Sequence, residues 1–151
     1  MTECAPSCKV LARAVEIGQA RSATSRNTTS NPEYLMKYLC LIYGDEKSRD
    51  TMSAEDGARM RKDYMAFTED IRKSGHYLGG NALQPTSTAT TIRSRNGSLT
   101  TTDGPFAETR EHLGGYYLVE ARDLNDAIQV AGRIPGARFG SIEVRPIMEM
   151  S

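Results

Sequence analysis

Every residue over 38–43 is apolar (Tyr-Leu-Cys-Leu-Ile-Tyr), and Gly44-Asp45 ends the run. A continuous apolar stretch this short, bounded by turn residues, predicts a strand covered on both faces and central in its sheet. The rest of the chain must then supply its neighbours. Ser53, with Asp56 three residues on, has the form of a capping box, and Met60, Tyr64, Phe67 and Ile71 recur at helical spacing until Ser74-Gly75 breaks the pattern. That spacing predicts a helix over 53–74 with one buried stripe.

Asn96-Gly97 separates two Thr-rich segments, 90–95 and 98–102, and is a strong signal for a two-residue turn with positive φ joining antiparallel strands. A further strand is expected over 115–121. Asp123 then offers an N-cap ahead of Leu124, Ala127, Ile128, Ala131 and Ile134, and Pro135-Gly136 closes that helix. Residues 142–147 alternate apolar and polar, and Pro146 puts this last strand near an edge. The order strand, helix, hairpin, strand, helix, strand predicts an α+β two-layer sandwich of ferredoxin-like type, with both helices on one face of an antiparallel sheet. The other face is left open, and an isologous homodimer is the simplest way to cover it.

At 151 residues the chain fits one domain, and with 19 Lys and Arg against 19 Asp and Glu it lacks the basic excess of a nucleic-acid-coating protein. No run approaches the ~18 apolar residues of a membrane span. Cys4, Cys8 and Cys40 make an odd set with no partner spacing, which suits a reducing, cytoplasmic setting better than a disulfide scaffold. Zinc binding at Cys4 and Cys8 lacks a second ligand pair. Residues 1–35 are rich in Ser and Thr, and the apolar stretch near Val10 is cut by Arg13 and Glu16, so no secretory signal is read there. They are expected to be a disordered extension, or to lie upstream of a true start at Met36, leaving a domain over 36–151.

Taking Asn96-Gly97 as the turn pairs Arg95 with Ser98, Arg93 with Thr100, Thr91 with Thr102 and Thr90 with Asp103. Asp103 then shares a face with Thr101, Leu99 and Ile92. A carboxylate among apolar neighbours loses solvation and becomes able to exchange a proton near neutral pH. The competing reading is a structural Asp-Gly turn before Pro105. Arg93 falls on the opposite face, as a surface or dimer contact, unless a bulge shifts the register and lets it bind an anionic substrate beside Asp103. Tyr116 and Tyr117 alternate, one beneath a helix and the other on the open sheet face.

The segments 36–43 (Met-Lys-Tyr-Leu-Cys-Leu-Ile-Tyr), 88–93 (Thr-Ala-Thr-Thr-Ile-Arg), 102–109 (Thr-Asp-Gly-Pro-Phe-Ala-Glu-Thr), 113–117 (Leu-Gly-Gly-Tyr-Tyr) and 134–138 (Ile-Pro-Gly-Ala-Arg) resemble, in this order, the signatures of the DGPF branch of the YCII-related (YciI-like) family. The resemblance implies a ferredoxin-like chain that dimerises into an α/β barrel in the bacterial cytoplasm. It also implies a site in the cleft beside the sheet, built on an aspartate and a first-helix histidine. The aspartate matches Asp103. The helix over 53–74 holds no histidine and carries Tyr64 near the expected place. Tyrosine is a poor base at neutral pH but donates well to a developing oxyanion. His76 and His112 lie outside that helix and read first as turn or surface histidines.

Two functions follow. One is a cofactor-free enzyme of lyase or isomerase type, with Asp103 and Tyr64 as catalytic residues and Arg93, Tyr117 and His112 as substrate-binding ones. The other is a non-catalytic ligand-binding or regulatory dimer, which the resemblance links to a sigma factor. Neither calls for a cofactor, a metal, nucleic acid or a membrane.

Overall fold

The computed structural model describes residues 35–149. The extension expected over 1–35, apart from Leu35, lies outside the described residues, as do Cys4 and Cys8. The elements run β1 (Met36–Gly44), α1 (Glu46–Asp50), α2 (Ala54–Lys73), β2 (Tyr77–Ala82), β3 (Thr90–Arg95), β4 (Ser98–Asp103), β5 (His112–Ala121), α3 (Leu124–Ala131) and β6 (Ser141–Pro146), with short 3₁₀ turns at Thr86–Thr88 and Pro135–Arg138. Strands β2, β5, β1 and β6 form one antiparallel sheet in that order. This is the ferredoxin-like α+β sandwich, with β6 on an edge as Pro146 suggested.

The capping chemistry acts as the sequence implies. Ser53 Oγ accepts from the Asp56 N–H at 3.0 Å at the start of α2, and Asp123 Oδ1 accepts from the Asp126 N–H at 2.8 Å at the start of α3. α3 stops at Gly132, earlier than Pro135-Gly136 implied, and Ile134 still reaches the core from the following turn. The core is one cluster in which Tyr38 and Cys40 of β1, Tyr117, Val119 and Ala121 of β5, Phe67 and Ile71 of α2 and Ala127, Val130 and Ala131 of α3 pack together. The Cys40 thiol is pushed up to about 11 by burial and behaves as an inert hydrophobe. β1 is central, but only one of its faces is sealed: Leu39 and Leu41 remain half-buried, paired with Leu118 and Tyr116 on the side away from the helices.

Two expectations need correcting. The sheet contains a strand that sequence pattern missed, β2, and the Asn96-Gly97 hairpin does not belong to that sheet. β3 and β4 pair in the expected register, Thr90 opposite Asp103 and Arg95 opposite Ser98, but as a separate two-stranded ribbon. Both turn residues have positive φ, 51° at Asn96 and 76° at Gly97, as a tight hairpin turn demands. The ribbon joins β2 to β5 and buries almost nothing.

Ile71 is fully buried between α2 and the sheet. Ile71→Ala should cost about 2–5 kcal/mol, read as a lower urea midpoint at unchanged m. Asp126 ties the start of α3 to Arg122 (Nε to Oδ2, 3.1 Å) and faces His76 Nε2 at 3.6 Å. The hydrogen bonds from Arg122 lower its carboxyl from 3.8 to about 2. Its contribution is therefore present above the unfolded carboxyl value and lost as pH falls from about 4 toward 2. Solvent screening around the exposed Arg122 holds this to about 1 kcal/mol. Asp126→Asn should flatten that acid limb of a pH–Tm profile.

Candidate functional site

A cleft lies between the first half of α2, α1, β2, the ends of β1 and β5, and the Pro135–Arg138 turn. The cavity there measures about 820 Å³ and is lined by Tyr64 and Thr68 of α2, Arg49 of α1, His112 and Tyr117 of β5, and Gly136. Volume and lining are those of a small-molecule site, mostly apolar with a few convergent polar groups.

His112 reaches the cavity because of a defect in the ladder. β1 pairs Ile42 with Gly115 but Tyr43 with Leu113, so Gly114 is skipped as a β-bulge. Strand alternation sets Tyr117 and Gly115 on the helix side. Without the bulge, Leu113 would follow them and His112 would face away; with it, His112 opposite Gly44 comes round to the helix side. Its Nδ1 is buried and has no hydrogen-bond partner among the described residues. A buried ring nitrogen without a partner is costly to leave unmet.

Tyr64 occupies the buried stripe of α2, and its hydroxyl abuts Gly136: a Cβ on that glycine would stand 2.6 Å from Tyr64 Oη and 2.9 Å from Ile42 Cγ2. Burial raises the Tyr64 phenol, a shift to which Tyr117 adds and which the Gly136 N–H and Arg49 oppose. Tyr64 thus stays protonated at neutral pH and serves as a hydrogen-bond donor. Tyr117 packs edge-on to Phe67, with ring centroids 5.2 Å apart, and its Oη shares a 2.8 Å hydrogen bond with Thr68 Oγ1. It is the tyrosine beneath the helix, while Tyr116 lies on the open face and accepts from Asn81 Nδ2 at 3.1 Å.

Three of the five residues singled out from the sequence therefore meet: Tyr64, Tyr117 and His112. Asp103 and Arg93 do not join them. Asp103 ends β4, exposed and outside the cavity lining. It shares a ribbon face with Ile92 and Leu99 as the register required, yet these are 62% and 69% exposed, so that face forms no apolar hollow within the chain. The β3–β4 ladder has no bulge, and Arg93 stays on the opposite face, where Nη2 donates to the Phe106 carbonyl at 3.2 Å.

The sequence reading missed Arg49, Glu46, Asp63 and Arg138. Glu46 accepts from Thr86 through both oxygens, from the N–H at 2.9 Å and from Oγ1 at 2.7 Å, and these bonds lower its carboxyl. Arg138 Nη1 donates to Asp63 Oδ2 at 3.0 Å and ties the Pro135–Arg138 turn to α2. The signal available for α1 was Asp45 directly after β1, whose Oδ1 accepts from the Lys47 N–H at 2.9 Å as an N-cap. Among the described residues, no three His, Cys, Asp or Glu side chains come together as a metal site, and no helix is long and apolar enough to cross a membrane.

Gly136→Ala should force Tyr64 and Ile42 apart at a cost of about 1–3 kcal/mol. Adding Tyr64→Phe should recover part of that loss, a coupling measurable as a double-mutant cycle in thermal unfolding.

Comparison with known proteins places these features. An uncharacterised protein of Rhizobium meliloti (strain 1021) is 36% identical over 114 residues, which cover 74% of this chain and 92% of that relative. The YCII-related domain model matches residues 36–151, the stretch that supplies both the sandwich and the cavity, and the chain belongs to the YCII-related domain family.

Proposed function

We propose that the chain binds a small organic molecule in the cavity between α2 and the sheet and moves a proton on it using its own side chains. The observation that carries this reading is a single cavity lining that gathers His112, Tyr64 and Tyr117, with the His112 Nδ1 buried and unpartnered among the described residues. Imidazole is the commonest proton-transfer group in enzymes, and a protonated phenol in the same lining suits charge developing on a substrate oxygen. Tyr117, steadied by Thr68, forms the apolar floor.

His112 thus takes the acid–base place that the sequence pointed to at Asp103. Asp103 enters the site where a second copy brings its β3–β4 ribbon to the cavity. A homodimer belongs to this proposal, since the sheet face away from the helices carries Leu39, Leu41 and Leu118 without cover from α2 or α3. The exposure of Asp103 favours a second reading in which the cavity senses a metabolite without turning it over and the dimer docks on a protein such as a sigma factor.

Screening the full chain against a metabolite library by thermal shift separates these. A hit whose affinity falls about tenfold in His112→Gln and in Tyr64→Phe supports the site. Turnover that drops ~10²–10⁴-fold in His112→Gln makes it an enzyme. An equal drop in Asp103→Asn restores Asp103 to the reaction, and binding without turnover leaves the sensing role. A hit indifferent to both cavity variants discards the proposal.

A further inference from the structure

The chemistry around α1 narrows what the cavity accepts, an inference that rests on the cavity being a ligand site. Arg49 Nη1 lies over the bulge, 3.5 Å from the point where a Cβ on Gly114 would stand, so the guanidinium settles against bare backbone. Its ion pair with Glu46 is loose: Nη2 to Oε1 is 3.7 Å, beyond hydrogen-bond length, while Thr86 donates to both carboxylate oxygens. Glu46 therefore balances the charge of Arg49 without using its planar fork of five N–H donors. The Arg49 side chain is 46% exposed and lines the cavity. Gly114 lies two residues from His112, so the guanidinium and the histidine line the same end of the cavity.

We infer that the molecule held in this cavity carries a carboxylate, received by the Arg49 guanidinium at the Gly114 bulge, with His112 beside it. A carboxylate is planar and matches the Arg fork bidentately. A doubly charged phosphate fits less well. The lining sets Arg49, Arg59, Arg61 and Arg138 against Asp45, Glu46, Asp56 and Asp63, four charges of each sign, so it has no cationic surplus to offset a second negative charge on the ligand. The remaining walls, with Met52, Met60, Tyr77 and Phe139, ask for an apolar body behind the acid. The substrate class is an amphiphilic monocarboxylic acid.

The test uses matched acid and primary-amide probes, benzoate with benzamide, 3-phenylpropionate with its amide and sorbate with sorbamide, titrated calorimetrically into the full-length protein at millimolar concentration. At least one acid should bind about tenfold or more tightly than its amide. That preference should vanish in Arg49→Gln, recover in part in Arg49→Lys, and persist in Lys73→Gln, which alters an exposed residue at the end of α2 outside the cavity. Circular dichroism of each variant checks that it is folded. Acids and amides binding alike, or a preference that survives Arg49→Gln, overturns the carboxylate inference while leaving the cavity a ligand site. Binding by none of the six probes overturns the inference, and the library screen then decides separately whether the cavity takes any ligand.

Discussion

Between β1 and β5 the ladder skips one residue, Gly114, and the placement of His112 and Arg49 in the cavity follows from that skip. A strand presents alternate side chains to opposite faces, so one unpaired residue exchanges the two faces for everything beyond it. On the inner side of the bulge, Tyr117 and Val119 point into the core. Beyond it, a histidine turns inward where a leucine would otherwise have done so. The missing side chain also leaves room for the Arg49 guanidinium to lie against the strand. One deleted ladder contact thus brings His112 and Arg49 to the same end of the cleft.

The parts of the fold that could be read from the sequence are those whose chemistry is local. The Ser53 and Asp123 caps, the Asn96-Gly97 turn and the apolar run of β1 each carry their instruction within a few residues; the caps and the turn form as read, and β1 is a central strand with one face sealed instead of two. β2 carries no such instruction. Its Tyr-Leu-Gly-Gly-Asn-Ala has neither alternation nor β-branched residues, and it is a strand because the edge of β5 supplies partners for Gly80 and Asn81. α1 has five residues and sits in a charged run with no apolar stripe to reveal it. The cavity was half legible for the same reason. Tyr64 could be placed from helical spacing, whereas the direction of His112 depends on a bulge that Leu-Gly-Gly permits but does not announce.

Asp103 shows the limit of register arguments. The pairing of β3 with β4 and the sharing of a face by Asp103, Leu99 and Ile92 follow from the turn alone, and all of it holds. What lies over that face is a tertiary matter on which register is silent, and within the chain it is solvent. Insertion of the ribbon between β2 and β5 in the sequence keeps the four-stranded sheet intact and leaves the Asp-Gly-Pro-Phe segment outside the cavity lining. The YCII-related match spans both parts, so the family relation by itself assigns the chemistry to neither.

The ribbon's independence also shapes the energy landscape of the molecule. Its interstrand hydrogen bonds are exposed and owe little to the Tyr38–Ile71 core, so they open by local fluctuation rather than by global unfolding. Amide protons on β3 and β4 would trade with deuterated solvent long before those of β1 and β5. A slowing of that exchange reports directly on anything that comes to rest against the ribbon.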